Sequence, residues 1–491
     1  MTVPEEHPAN AEPGAAQPAR GAVQILVANV VLLVSGFGVS VILARGLGPE
    51  AFGVYGVVMS VMVWLERLIS AGVPGATAAM LLSGAQPHAV VTGSARVLML
   101  LFALPLFVLL WVLAPALADY LGIPAGATLI RIAACNLPAM AIYYAYDAIF
   151  NGRRMFWAQS ALQIVQSIAK LVGVLLLLIV GLSLPGVYVA HVTATIVTIG
   201  LATIRFRSGG GRASAAVMRE MSRIALPMGV YALAFSVLMN LSLWQLQAGE
   251  GQDPQDVGYF VAAINLTRIM MMVPATVSGV LFASLAWARS TGQAELVTKY
   301  LQEAMRFALI VTVPACVLIG VDADGVMGLL FGQQYVAGAG ILALLCVAFA
   351  LIALIDVLFH ALMADGGFLR SAAVLAGLVP VLYVLNALWI PAGGGAGAAM
   401  GSTVAMAIGV VVAAVIVRVR LGSSTRVKTL LRVCGSGLVT GLLATQIPAD
   451  GFWLLVKLGG LSVLYLGLLW VTGEVSVHDL KPFAIWRNKK A

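Results

Sequence analysis

Three cations stand inside long apolar runs of this 491-residue chain: Arg67, Lys170 and Arg268. A guanidinium presents five donors in a planar fork that suits phosphate, and an ammonium presents three on a flexible stem. At mid-span in a bilayer each such charge costs about 2.5–3.5 kcal/mol on insertion scales, so each needs a wet cavity, a partner or a ligand. Lys170 ends a polar series. Gln159, Gln163, Gln166 and Lys170 are spaced by four, three and four, which keeps them on one helix face over about 16 Å. One reading is a cavity wall that offers amides and an ammonium to a polar ligand. The other is a buried interface in which the glutamines bond neighbouring helices. Arg268 follows Asn265 by about one turn, and Ser236, Asn240 and Gln247 lie on one side of the preceding run. That set suits a phosphate; the competing reading pairs Arg268 with a carboxylate from another helix.

The acids divide similarly. Glu66 and Arg67 are adjacent, hence about 100° apart on a helix, and do not face each other. Glu66 is a candidate to pair with a cation or to carry a proton. Asp147 and Asp356 lie near the inner ends of their runs, and Asp356, the deeper, is the second ion-coupling candidate. His191 and His360 have no metal-ligand companions and read as core residues. Cys135, Cys316, Cys346 and Cys434 lie in apolar runs without metal spacing. No metal and no cofactor is expected. No phosphate-binding Gly-Lys loop is visible, and the glycines near Gly393 do not follow a strand, so a nucleotide reading fails. With no catalytic constellation and only short outer loops, the chain does not read as an enzyme.

The elements that must position these residues are membrane helices. Of all residues 61% are hydrophobic and 10% charged, against roughly 25% charged in soluble domains. About 20 apolar residues span the roughly 30 Å hydrocarbon core, and such runs fill the chain. Fourteen spans are expected, at about 22–44, 52–74, 94–118, 127–150, 157–180, 184–204, 223–247, 258–284, 300–321, 337–363, 372–391, 397–417, 430–447 and 452–473. The net charge of +8 resides in the breaks, as topology signals do, so no nucleic-acid partner is inferred. Arg153, Arg154, Arg205, Arg219, Arg370, Arg418 and Arg420 mark one side; Asp253, Asp256, Asp322 and Asp450 mark the other, with little cation beyond Arg45, Arg131 and Lys457. The positive-inside rule then puts both termini in the cytoplasm. Arg45, at the outer end of the first span, reads as an anchor for that end. The Pro- and Glu-rich start, residues 1–21, is expected to be a disordered tail without a cleavable leader.

The chain reads as two halves. A six-span lobe at 22–204 precedes a basic linker at 205–222, which opens FRSGGGR and is expected to continue as a surface helix. A second six-span lobe at 223–417, two extra spans within 418–473 and a basic tail at 474–491 follow. AGATLIRIAACNLPAM from Ala125 echoes AGAGILALLCVAFALI from Ala337, and FGVYGVV from Phe52 echoes VGYFVAA from Val257, at offsets of about 212 and 205 residues. Halves of six spans enter from the same side, so they would be parallel repeats, an arrangement that places substrate between halves that rock.

The segment ILARGLGPEAFGVYGVVMSVMVWLERLISAGVPGA, from Ile42, resembles the polysaccharide biosynthesis, Wzx-like oligosaccharide flippases. Arg45, Leu47, Gly48, Phe52, Gly53 and Tyr55 stand at that family's signature positions. DVGYFVAAINLTRI from Asp256 looks like the matching signature of the second half, and LLFGQQY from Leu329 like the family's Phe-Gly-x-x-Tyr segment. The resemblance implies the multidrug, oligosaccharidyl-lipid and polysaccharide exporter superfamily: an all-α polytopic fold with two six-helix lobes, a cationic cavity and alternating access in the bacterial inner membrane. The implied substrate is an undecaprenyl-pyrophosphate-linked oligosaccharide. The implied partners are membrane lipids, a proton or sodium ion, and a polysaccharide polymerase and glycosyltransferases. A multidrug cation antiporter and a lipid II flippase are the rivals within the superfamily.

Overall fold

Where hydrocarbon replaces water, a backbone must satisfy its own polar groups, and a helix does so within one segment. The computed structural model describes residues 16–181, 183–206, 211–249, 253–422 and 426–475, and every regular element among them is helical. In chain order these are α1 (Ala16–Ser70), α2 (Val73–Ser83), α3 (His88–Tyr120), α4 (Gly126–Ala134), α5 (Asn136–Gly152), α6 (Phe156–Val180), α7 (Leu184–Arg205), α8 (Ala215–Ala248), α9 (Pro254–Met270), α10 (Met272–Ser290), α11 (Ala294–Val321), α12 (Ala323–Phe331), a 3-10 turn (Gln333–Gly338), α13 (Ala339–Ala364), α14 (Phe368–Leu421), α15 (Val427–Gln446) and α16 (Phe452–Val471).

Among the described residues, twelve helical stretches are long and apolar enough to cross a membrane. Two of them cross twice. α1 breaks at Gly48, whose φ of 78° a side chain would strain, and restarts on Pro49, a residue suited to a first helical turn. α14 breaks at Gly394, φ 52°, just after Pro391. At 1.5 Å per residue the 54 residues of α14 would run about 80 Å, far beyond a roughly 30 Å core. Counting both bent helices twice makes fourteen crossings, and the chain is a multi-pass α-helical membrane protein. Residues 207–210 of the expected basic linker lie outside the described residues, and Arg219 and Arg223 lie in the 34-residue α8. AAVMREMSRIAL is rich in good helix formers, and Pro227, the next residue, lies inside α8, so the basic part and the crossing part of this helix meet at a proline that removes one backbone hydrogen bond. Of the expected tail at 1–21, residues 1–15 lie outside the described residues and α1 begins at Ala16; of the tail at 474–491, residues 476–491 lie outside them.

The chain forms two compact units. The first holds α1 up to Val39, Leu65–Ala114 and Ala127–Leu226. Its core gathers Met140, Tyr143, Tyr146, Phe150 and Leu162 from α5 and α6. The second holds Ser40–Trp64, Pro115–Gly126 and the chain from Pro227 onward. Within it, Gly397, Gly401, Ala405, Gly409 and Ala413 are buried at intervals of four along α14. That small-residue stripe brings helices close, as membrane packing favours.

The second unit also contains the turn of the first hairpin, within Ser40–Trp64, and the signature residues hold it there. Arg45 donates from Nε to the Leu330 carbonyl at 2.9 Å and from Nη2 to the Leu329 carbonyl. These are exposed carbonyls of the last turn of α12, where a cation is favoured. Tyr335 donates to the Ala44 carbonyl at 3.0 Å, and its ring meets Phe52 edge-on. Gly53 and Gly258, which the internal echo makes equivalent, pack on each other: a Cβ on Gly53 would lie 2.8 Å from the Gly258 nitrogen. The extra helices α15 and α16 are tied near both ends. Glu474, 5% exposed at its side chain, receives Arg306 and Arg432 at 3.3 Å each and the Thr429 hydroxyl at 2.9 Å. At the opposite end Lys457 meets Asp322 at 2.6 Å.

Candidate functional site

In the first unit the polar residues gather around Glu66. α1 carries Glu66 and Arg67 in its last turns, α5 brings Asn136 and Tyr144, α6 brings Lys170 and α7 brings His191. The Asn136 amide donates to Glu66 Oε1 at 3.2 Å. Lys170, Arg67 and Tyr144 all lie within electrostatic range of the Glu66 carboxylate, and His191 lies beside Lys170. Arg67 is exposed and Lys170 half-buried, and neither forms an ion pair among the described residues. The cluster holds two cations around one carboxylate, an excess of positive charge in a hydrocarbon-length span.

The polar face of α6 is engaged along its length. Gln163 donates to Asp147 Oδ1 at 3.1 Å, and Gln159 faces the same carboxylate. Gln166 reaches Met140 Sδ at 3.3 Å and Thr195 Oγ1 at 3.4 Å. Amides thus link α6 to α5 and α7, while Lys170 continues the face toward Glu66.

In the second unit Arg268 is exposed on α9 and donates to Asn240 Oδ1 on α8 at 3.2 Å. Asn240 donates in turn to the Ser236 carbonyl at 2.7 Å. The amide therefore presents its oxygen to the guanidinium. Asn265, one turn away, is half-buried. Gln247 leaves this group: its amide donates to the Leu121 carbonyl at 3.0 Å. Asp356, on α13, is 8% exposed and stands 3.4 Å from His360 Nδ1, with the Ser278 hydroxyl facing it.

One network escaped the reading of the sequence. Asn386, fully buried, donates to Ser242 Oγ at 2.9 Å and to Gln245 Oε1 at 2.8 Å. Ser242 meets Ser402 Oγ at 2.8 Å, and Gln245 donates to the Tyr383 carbonyl. An uncharged Asn within the apolar run YVLNALWI was the available signal, of the same kind as the deep charges but weaker. Asn386→Ala leaves Ser242 and Gln245 short of a partner inside the bundle. It is expected to cost about 1–2 kcal/mol, read as a drop in the melting midpoint of detergent-purified protein. A midpoint equal to that of the unaltered chain would show the network to be dispensable.

Residues 19–286 match the family model described as polysaccharide biosynthesis protein. The match covers more than half of the chain, and this protein belongs to that family. No curated protein matches it in sequence. Its fold is shared with solved transporters. The lipid II flippase MurJ in an inward closed conformation superposes with a TM-score of 0.75 at 14% identity, over 92% of this chain and 98% of that one. An inward-facing multidrug resistance MATE family transporter of the MOP superfamily gives 0.66 at 17% identity, over 82% and 98%. A MOP superfamily transporter from Pyrococcus furiosus, whose binding pocket is described as reversed in polarity, gives 0.54 at 14%, over 84% and 99%. At these identities the likeness is one of fold. The chain thus has the flippase-type transporter fold of a polysaccharide biosynthesis family.

Proposed function

We propose that this protein flips an undecaprenyl-pyrophosphate-linked oligosaccharide from the inner to the outer leaflet of a bacterial inner membrane, with both termini in the cytoplasm, for cell-surface polysaccharide assembly. The observation that carries the reading is the charge excess around Glu66. Arg67 and Lys170 give a pyrophosphate two donors in a medium where charge is costly, and charge-assisted bonds to phosphate are the strong ones. Arg268, oriented by Asn240 with Asn265 beside it, supplies a third cation in the other unit. Gln159, Gln163 and Gln166 extend the polar face from which a sugar would receive amide bonds, once their present partners yield. A multidrug antiporter moving cations would want an acidic lining, and these deep charges are basic. Glu66 and Asp356 are the residues through which a proton or sodium gradient would act. A polymerase and glycosyltransferases would act on either side of the flipping step.

Reconstituted into liposomes with a fluorescent lipid-linked oligosaccharide, the protein should expose the label to an outside quencher. Arg67→Gln and Lys170→Gln are each expected to slow this about tenfold, which corresponds to one charge-assisted hydrogen bond of about 1.5 kcal/mol. Rates that match the unaltered protein in both variants would overturn the assignment of these cations. Faster flipping of lipid II than of any polyprenyl-linked oligosaccharide would transfer the protein to the peptidoglycan branch.

A further inference from the structure

Between α11, α13 and the second half of α14 lies a groove of about 330 Å³, within the size range of ligand sites. Its walls are hydrocarbon: Leu301 and Met305 from α11, Leu358 from α13, Val411 and Val415 from α14. Its polar atoms come from two residues, Gln302 and Arg418. Gln302 lies in the first turns of α11, and Arg418 lies in the last turn of α14. The groove therefore opens at the Arg-rich end of the bundle, which the Lys and Arg bias assigns to the cytoplasm. Arg426 joins the same mouth, because its Nε donates to Gln302 Oε1 at 2.9 Å. Arg418 is exposed and forms no ion pair among the described residues.

An aliphatic slot at membrane depth headed by two guanidinium groups matches a molecule with a hydrocarbon tail and an anionic head. Water in the slot would find no partners, and a soluble anion would leave the walls bare. A zwitterionic lipid would set an ammonium near Arg418. We propose that this groove binds one anionic glycerophospholipid of the inner leaflet, an acyl chain between α11 and α14 and the phosphate on Arg418 and Arg426. The guanidinium fork fits a phosphate in two-point contact, and basic pockets between membrane helices on the cytoplasmic side select such headgroups. None of the residues that line the groove belongs to the candidate substrate-binding set, and the proposal does not depend on the transported substrate.

The test is native mass spectrometry of the full chain released from vesicles of phosphatidylglycerol or of phosphatidylcholine. The unaltered protein should retain one phosphatidylglycerol and discriminate against phosphatidylcholine. Arg418→Gln should weaken that retention about fivefold, the effect of one cation near an anionic headgroup. Ala414→Trp, which fills the slot and leaves both cations, should abolish it. Lys428→Gln, a cation near the same end that does not line the groove, should leave it unchanged. Melting midpoints close to that of the unaltered chain certify that each variant is folded. Equal retention by Arg418→Gln and the unaltered protein overturns the proposal. So does displacement of the bound phosphatidylglycerol by equimolar undecaprenyl phosphate, which would give the groove to the tail of a polyprenyl substrate.

Discussion

Gly258→Ala is expected to remove most of the folded protein. A Cβ at Gly258 would lie 2.0 Å from the Pro49 carbonyl oxygen and 2.5 Å from its carbon. Those are backbone atoms at the start of a helix and cannot swing aside as a side-chain tip could. Overpacking of a core typically costs about 1–3 kcal/mol and more where nothing can move. Here the first hairpin must shift as a body, which also strains the Gly53 contact and pulls Arg45 and Tyr335 from the carbonyls they bond. A loss of about 3 kcal/mol or more would consume a large part of a typical folding stability. Fluorescence-detected size exclusion of detergent extracts should show the monodisperse peak reduced to a small fraction, and the remainder melting early. Gly36→Ala is the control, since open space surrounds that position. Were Gly258→Ala to behave like that control, the close approach of the two signature glycines would be wrong.

The second large effect is expected at Lys457 and Asp322. The ammonium and carboxylate meet at 2.6 Å, with side chains only 4% and 14% exposed. Removing one partner from a buried pair leaves a charge that neither water nor protein compensates, and the cost is about 3–5 kcal/mol. Lys457→Met and Asp322→Leu should each lower the melting midpoint strongly and loosen α16 from the α11–α12 corner, read as faster proteolysis after α15. The double variant should recover most of the loss, because two apolar side chains need no partners. Additive single effects in the double-mutant cycle would mean that the two charges are not coupled.

These two sites show how differently the parts of the protein could be read from its residues. Gly53 and Gly258 were visible as matching positions in an internal echo, which marked them as equivalent but did not reveal that they touch. Lys457 and Asp322 were visible only as outer-segment charges among others, since 135 residues separate them and nothing local distinguishes a paired lysine from an anchoring one. The Gln series on α6 was legible as a face from its spacing alone. That its amides are spent on Asp147, Met140 and Thr195 depends on which helices neighbour α6, and spacing within one helix carries no such information.

The sequence by itself determined the number and approximate ends of the crossings and the helical class. Both follow from local physics: a run of about 20 apolar residues must cross, and a Gly-Pro or polar break must turn. Only the tertiary structure decided the partners. It joined Arg45 to the α12 carbonyls, Asn240 to Arg268 and Asn136 to Glu66, and it made Ser40–Trp64 part of the second compact unit. Inside a bilayer every helix is equally apolar on its lipid side, so hydrophobicity does not choose neighbours. Close backbone contact and the few polar groups that must find each other choose them, and those contacts exist only after the helices have assembled.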